Sequence, residues 1–250
     1  MKTSHSIIAG AAGLAVVLAG GFAIAALRTA EATSGEARFA RPMQEAVAKS
    51  AATDLTRYGV MGDEKALSLL SNNLKACQSA LKAAGVSFTM VPARQEGACG
   101  YSEALEVKTS LADLTPNPGA PSELPMTCDL AARMHIWERH VVIPAAEKYL
   151  GSPVKEIKAF GTFQCRTVAG LDKLSEHAYA KAADIAAFVL ADGREISVLR
   201  DYRSSGPDGD FLREVRERAC DLFDVTLGPD YNADHANHFH LDVGGSYACR

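Results

Sequence analysis

Six cysteines, Cys77, Cys99, Cys128, Cys165, Cys220 and Cys249, set the terms on which this 250-residue chain can fold. Their redox state follows from the N-terminus, where Lys2 precedes an uncharged, mostly apolar run from Ile7 to Leu27, closed by Arg28. The 21 residues of that run, at about 1.5 Å of rise each, can span a bilayer core of about 30 Å, which favours an uncleaved membrane anchor over the shorter core of a secretory signal. Small residues around Ala30 and Ala32 keep signal cleavage, and hence secretion, open as the alternative. Either route exports the remainder, and an even cysteine count in an oxidising compartment implies three disulfides. The absence of any Cys-x-x-Cys pair argues against a zinc ribbon or redox motif. Spacing favours Cys77 with Cys99, closing a local loop, then Cys128 with Cys165, and Cys220 with Cys249, tying down the C-terminal tail.

Three segments follow: residues 1–28 as anchor or signal, 29–63 as an Ala-, Thr- and Ser-rich tether with some helix around Met43 to Tyr58, and 64–250 as the folded domain. With 48% hydrophobic and 22% charged residues, the chain has ordinary globular composition. A formal net charge of -4 and scattered Lys and Arg give no footprint for nucleic acid.

Within the domain, Leu67, Leu70, Leu74, Cys77 and Leu81 recur at helical spacing from Asp63 through Ala84, with Gly85 as the stop. Val86 to Val91 and Ala104 to Leu111 read as short strands, with a turn at Gly97 to Tyr101. The Pro- and Gly-rich stretch Thr115 to Pro125 reads as a surface connection. Asp129 to Leu150 carries an apolar stripe through Leu130, Met134, Trp137, Val141, Ala145 and Tyr149; Gly151 ends it and Pro144 kinks it. Trp137 on that stripe reads as core. Ile157 to Phe163 is a further strand, and Ile185 to Leu190 and Glu195 to Leu199 flank Asp192-Gly193, suited to a type I′ hairpin turn. Phe211 to Phe223 is an amphipathic helix. Helices interleaved with short strands and a tight hairpin predict an α+β domain with a mostly antiparallel sheet. No glycine-rich phosphate loop follows a strand, which excludes a nucleotide-cofactor fold of the common kind.

The chemistry concentrates near the C-terminus. His235, His238 and His240 are three of the seven histidines in the chain. If His238 to Val243 is a strand, then His238, His240 and Asp242 share one face and Phe239, Leu241 and Val243 the other. The second face reads as core; the first suits one histidine on a divalent ion and a neighbour moving protons. Upstream, Ser175-Glu176-His177 and Asp184 offer an imidazole and a carboxylate. A catalytic zinc site takes three protein ligands and keeps a position open for water. His177, Asp184 and one histidine of the last strand complete such a set.

The pattern Ser-x-His-x-x-(small)-x-Ala-x-Asp followed by His-x-His resembles the zinc metallopeptidase superfamily of lysostaphin-type endopeptidases, D-Ala-D-Ala carboxypeptidases and the hedgehog signalling domain. Over residues 75 to 250, Leu124-Pro125-Met126-Thr127-Cys128, Phe160-Gly161-Thr162-Phe163-Gln164-Cys165-Arg166, Leu174-Ser175-Glu176-His177, Asp184-Ile185-Ala186, Leu227-Gly228-Pro229-Asp230-Tyr231-Asn232 and His235-x-x-His238-Phe239-His240-Leu241-Asp242 resemble the bacterial extensin-like C-terminal domain family. The resemblance implies a small disulfide-braced sheet with flanking helices, like hedgehog and the D-Ala-D-Ala carboxypeptidases, and a Zn2+ ion on His177, Asp184 and His240. Asn237 stands where some relatives carry a Glu base, so the first histidine of His-x-His, His238, takes that role, with His235 supporting. Arg166 is implied as the substrate-binding arginine. The implied activity is hydrolysis of D-centre amides in peptidoglycan stem or cross-link peptides from the periplasmic side of the inner membrane; the alternative is a zinc-containing wall-binding module without turnover. One departure stands out. Ala180 occupies a position usually filled by Gly, which is costly if the backbone there needs positive φ.

Overall fold

The fold is assembled on one long strand whose sequence, AADIAAFVL, is small and apolar enough to be covered on both sides. In the computed structural model, which describes residues 54–56, 67 and 70–250, this strand is Ala182–Leu190, and seven of its nine residues are buried. In chain order the elements are α1 (Leu74–Ala83), β1 (Ser87–Val91), β2 (Arg94–Glu96), β3 (Cys99–Tyr101), β4 (Ala104–Thr109), β5 (Asp113–Pro116), α2 (Cys128–Trp137), α3 (Ile143–Leu150), β6 (Val154–Gly161), β7 (Ala182–Leu190), β8 (Glu195–Ser197), α4 (Val198–Asp201), α5 (Pro207–Ala219), β9 (Val225–Leu227), β10 (Phe239–Asp242) and β11 (Ala248–Cys249).

The main sheet has seven strands in the order β11-β9-β10-β7-β6-β5, with β8 also paired to β7. One edge of β7 carries β6; the other is shared, with β10 along Ala182–Ile185 and β8 along Ala187–Val189. These pairings and β9–β10 are antiparallel, while the outermost pairs, β5–β6 and β9–β11, are parallel. Two antiparallel ribbons, β1–β4 and β2–β3, stand outside the main sheet. The chain is therefore α+β as expected, with a mixed rather than purely antiparallel main sheet. Strand β5 lies partly in the stretch read as a connection; Pro116 sits at its end on the sheet edge, where a missing N–H costs no ladder bond.

Strict alternation would put Asp184 and Phe188 on the same face of β7, one polar and one core. A bulge separates them. Lys158 and Ala159 are consecutive in β6, but their partners, Ala187 and Ile185, are two apart, so Ala186 is an extra residue. Ala183, Ile185, Phe188 and Leu190 consequently all enter the core, and Asp184 is left on the opposite face. Bulges of this kind re-aim side chains next to functional sites.

The helices cover the core face. Trp137 is fully buried and donates its indole N–H to the Val215 carbonyl at 3.0 Å. Its ring meets Phe188 at 5.9 Å and Phe223 at 6.4 Å. The expected helix over Asp129 to Leu150 is real but divided: α2 passes into a π-helical turn, Glu138–Val142, before α3. Pro144 explains the wider turn, because its nitrogen cannot donate and its ring crowds the carbonyl four residues back; the neighbouring Ile143 N–H reaches to Glu138 instead. Gly151 closes α3 in the left-handed region at φ 63. The helix predicted to run unbroken from Asp63 is interrupted at Asn73, which is extended and caps α1 by accepting from the Ala76 N–H at 3.0 Å.

The hairpin at Asp192-Gly193 forms with a different turn. Leu190 bonds Arg194 at 2.8 Å across a three-residue loop, and only Gly193 has positive φ, +92. That is a type I turn with a glycine bulge, not type I′, in which Asp192 would also need positive φ. The second strand stops at Ser197, and Val198 begins α4.

All six cysteines are paired, and two pairings differ from expectation. The disulfides are Cys77–Cys128, Cys99–Cys165 and Cys220–Cys249. Cys77 lies on the buried stripe of α1 with Ala80 and Leu81, against the start of α2, while β3 carries Cys99 to the loop after β6. Closeness in sequence misjudged both. Each larger loop, spanning 51 and 66 residues, constrains the unfolded chain by about 4 kcal/mol in the chain-entropy account.

The apolar run Ile7–Leu27, the helix expected near Met43 and most of the tether lie outside the described residues. Leu55, within the stretch read as tether, is fully buried in the core. Among the described residues no helix is long and apolar enough to cross a membrane.

Candidate metal centre

Register places the first two site residues. β10 runs antiparallel to β7 with His240 directly opposite Asp184, and directly opposed side chains share a face. The apolar alternates on β10, Phe239, Leu241 and then Val243, go to the core. His177 arrives from a short 3₁₀ turn, Glu176–Tyr179, capped by the Ser175 hydroxyl. That turn ends at Ala180, whose φ of 55 makes it the sole non-glycine residue with positive φ among the described residues. The expected demand on this position is therefore present, and the chain meets it with a buried alanine in a left-handed conformation that costs an L-residue about 1–2 kcal/mol.

Three donor atoms converge. His177 Nε2 lies 3.1 Å from Asp184 Oδ1 and 3.1 Å from His240 Nδ1, and His240 Nδ1 lies 3.0 Å from Asp184 Oδ1. Among the described residues these three alone group as ligands able to hold a metal ion. The far nitrogens define the tautomers. His177 Nδ1 donates to the Thr162 carbonyl at 3.2 Å, and His240 Nε2 donates to Asp242 Oδ2 at 3.1 Å. With both rings neutral, each turns a lone pair inward and Asp184 adds a third, which leaves three acceptors with no donor between them. A proton on one ring or a bound cation would answer it. A tetrahedral ion with bonds of about 2.0 Å spaces its ligand atoms about 3.3 Å apart, so two imidazoles and a carboxylate at these separations fit Zn2+.

The electrostatics express the same demand. Burial alone would raise Asp184, but His177 and His240 hold its carboxyl well below the usual range. Burial would lower His240, yet bonds to Asp184 and Asp242 lift it to about 9. Without a metal, one proton on His240 supplies the positive charge.

The other expected residues surround this triangle. His238 Nε2 is 3.5 Å from Asp184 Oδ1; its Nδ1 donates to Asn237 Oδ1 at 2.8 Å, and Phe160, itself an extra residue on β6, meets the ring edge-on at 6.0 Å. Burial, offset in part by Asp184, lowers the His238 pKa. His235 stands further out, 5.1 Å from His238 and 6.1 Å from His240 between ring centres, with Nδ1 on Asn232 Oδ1 at 2.6 Å. Burial and then the neighbouring histidines push it down to about 4. Arg166 Nη2 is 3.9 Å from Asp184 Oδ2, and its Nε donates to Gln164. Its segment is braced by the Cys99–Cys165 disulfide, by Tyr101 edge-on to Phe163 and by Arg94 over the same ring at 4.8 Å. Arg166, His235, His238 and His240 all line one cleft of about 1160 Å³, with Leu171 and Tyr231 exposed at its walls.

The motif order along the sequence agrees with a direct comparison. The family model for the extensin-like protein C-terminus matches residues 75–250. The chain belongs to the extensin-like C-terminal family. No curated protein and no solved structure matches the chain. The extensin-like match takes in all six cysteines and all six expected site residues, so triangle, cleft and braces belong to one family unit. Sequence reasoning put Asp242 on the right face of the extensin-like strand but gave it no task. It missed Thr162, Asn232 and Asn237 as holders of imidazoles; Thr162 acts through a backbone carbonyl, which no side-chain pattern reveals.

Proposed function

We propose that this protein is an exported, zinc-dependent peptidase that hydrolyses amide bonds at D-centres in peptidoglycan stem or cross-link peptides. The observation that carries the reading is the convergence of ligand atoms from His177, Asp184 and His240, with His240 lining a cleft that His238 and Arg166 share. Zinc held there would supply Lewis acidity to the scissile carbonyl and lower the pKa of a water towards about 7. His238 is the general base. Its Nδ1–H is committed to Asn237, which leaves Nε2 to accept a proton from the attacking water, and burial keeps the ring neutral near pH 7 as a base requires. The same nitrogen returns the proton to the leaving amine. His235, neutral for the same reason, supports His238, and Arg166 orients the peptide's carbonyl or carboxylate beside the triangle.

The proposal extends to architecture and place. A His-x-His strand paired in register with an aspartate strand fits the hedgehog and D-Ala-D-Ala carboxypeptidase arrangement, and three disulfides suit a periplasmic domain held to the inner membrane by residues 7–27. The test is incubation of purified, cross-linked cell wall with zinc-loaded protein, chelated protein and His238→Ala, followed by muropeptide analysis. Zinc-dependent cleavage that the variant lacks is expected. A zinc-loaded protein that gives no product from any cross-linked wall would reduce the site to a wall-binding module.

A further inference from the structure

His240 stands between two carboxylates, with Asp184 Oδ1 3.0 Å from Nδ1 and Asp242 Oδ2 3.1 Å from Nε2. An imidazole can bind a metal through either nitrogen, and the choice is set by what holds the other one. Here the holder is itself fixed. The backbone of Asp242 is paired to Ala182 on one side and Val225 on the other. Its second oxygen, Oδ1, accepts the Gly244 N–H at 3.0 Å, and its side chain is only 7% exposed. The Glu176 side chain, from the residue before His177, packs over Gly244 in the space a Cβ there would enter.

We propose that Asp242 is the positioning residue of the metal centre. Resting on the zinc reading above, the assignment is that Asp242, locked by Gly244, keeps the proton of His240 on Nε2 and so commits Nδ1 to the metal. It also completes the charge. A dication on Asp184 retains one positive charge, and the Asp242 carboxylate answers it through the imidazole, raising the basicity of the bound nitrogen.

Asparagine is the discriminating change, being the same size but having a single amide oxygen for two donors. In Asp242→Asn the amide N–H₂ must face either Gly244 N–H or His240 Nε2, and the latter favours the tautomer with Nδ1 protonated. Zinc affinity, measured by competition with a chromophoric chelator, is expected to weaken by about 10- to 100-fold with one ion per chain retained. An affinity within about threefold of the wild type would overturn the proposal. A second measurement needs no variant: histidine-selective ¹⁵N spectra of the zinc-loaded wild-type protein should show His240 metallated at Nδ1 with a slowly exchanging proton on Nε2. Metallation at Nε2 would overturn it. A wild-type chain that binds no zinc would defeat the underlying metal reading as well, an outcome distinct from a bound zinc on the wrong nitrogen.

Discussion

Two buried clusters in this molecule combine histidine with a carboxylate, and they resolve the cost of burial in opposite directions. At the candidate metal centre, pairing overcomes burial: His240 is raised to about 9 and Asp184 is held low. At the π-helical turn, burial prevails. Glu138, 3% exposed, accepts from the Leu111 and Ala112 N–H groups at 3.1 and 3.3 Å, yet is pushed up to about 7. Nearby His135, bonded at Nδ1 to the Ser110 hydroxyl at 2.9 Å, is pushed down to about 4. Residue type and burial are the same in both, so neither marks a functional site. The difference lies in what faces each group: neutral donors satisfy Glu138, whereas His177, Asp184 and His240 turn three ligand atoms on one another and need a positive charge between them, from a proton or an ion, beside a cleft that His240 lines.

The contrast can be broken by experiment, beginning with the metal. At a free zinc concentration about a thousandfold above Kd, the wild-type chain should gain about 4 kcal/mol in unfolding free energy. His240→Ala should lose that increment and Glu138→Gln should keep it; denaturant titrations with and without zinc check both. An equal loss in the two variants would erase the distinction between the clusters.

The second test concerns pH. The folded pKa of Glu138 lies above its ordinary value of 4.5, so between about 4.5 and 7 the folded state binds the extra proton and stability falls as pH rises through that window. The loss attributable to this group is on the order of 3 kcal/mol, complete above pH 7. Glu138→Gln keeps an acceptor for the two N–H groups and should remove that part of the slope. Urea midpoints of wild type and variant at pH 5 and pH 8 supply the comparison, and parallel pH profiles would show that Glu138 carries no such penalty.

The smallest effect belongs to the turn that delivers His177. Relief of the left-handed alanine, about 1–2 kcal/mol, is offset by loss of a buried methyl worth about 0.8 kcal/mol, so Ala180→Gly should stabilise the fold by less than about 1 kcal/mol. Thermal unfolding of the zinc-free protein measures it. A clear destabilisation would mean that the Ala180 methyl matters more to packing than the strain does.

The local parts of this centre were legible in the sequence. Period-two alternation sorted Phe239, Leu241 and Val243 from His240 and Asp242, and the structure follows that division. The short spacing from His177 to Asp184 proposed a second half to the site, and the Gly-to-Ala departure flagged Ala180, the one non-glycine residue with positive φ among the described residues. Other features depended on partners distant in the chain. The bulge at Ala186, which turns Asp184 away from the core, exists only relative to β6. The parallel edge strands β5 and β11 carry no pattern of their own; they are short and gain their identity from β6 and β9. Cysteine partners followed tertiary proximity, so Cys77 met Cys128 rather than the nearer Cys99. Asp242 shows the boundary most clearly: its face could be read, but its task depends on a Gly244 N–H and a tautomer.

The most direct measurement is zinc stoichiometry after chelation and repletion, combined with X-ray absorption at the metal. One zinc per chain is expected, bound by two imidazoles and a carboxylate oxygen, and lost in Asp184→Ala. A stoichiometry well below one, or a metal that stays bound when Asp184 is removed, would contradict it.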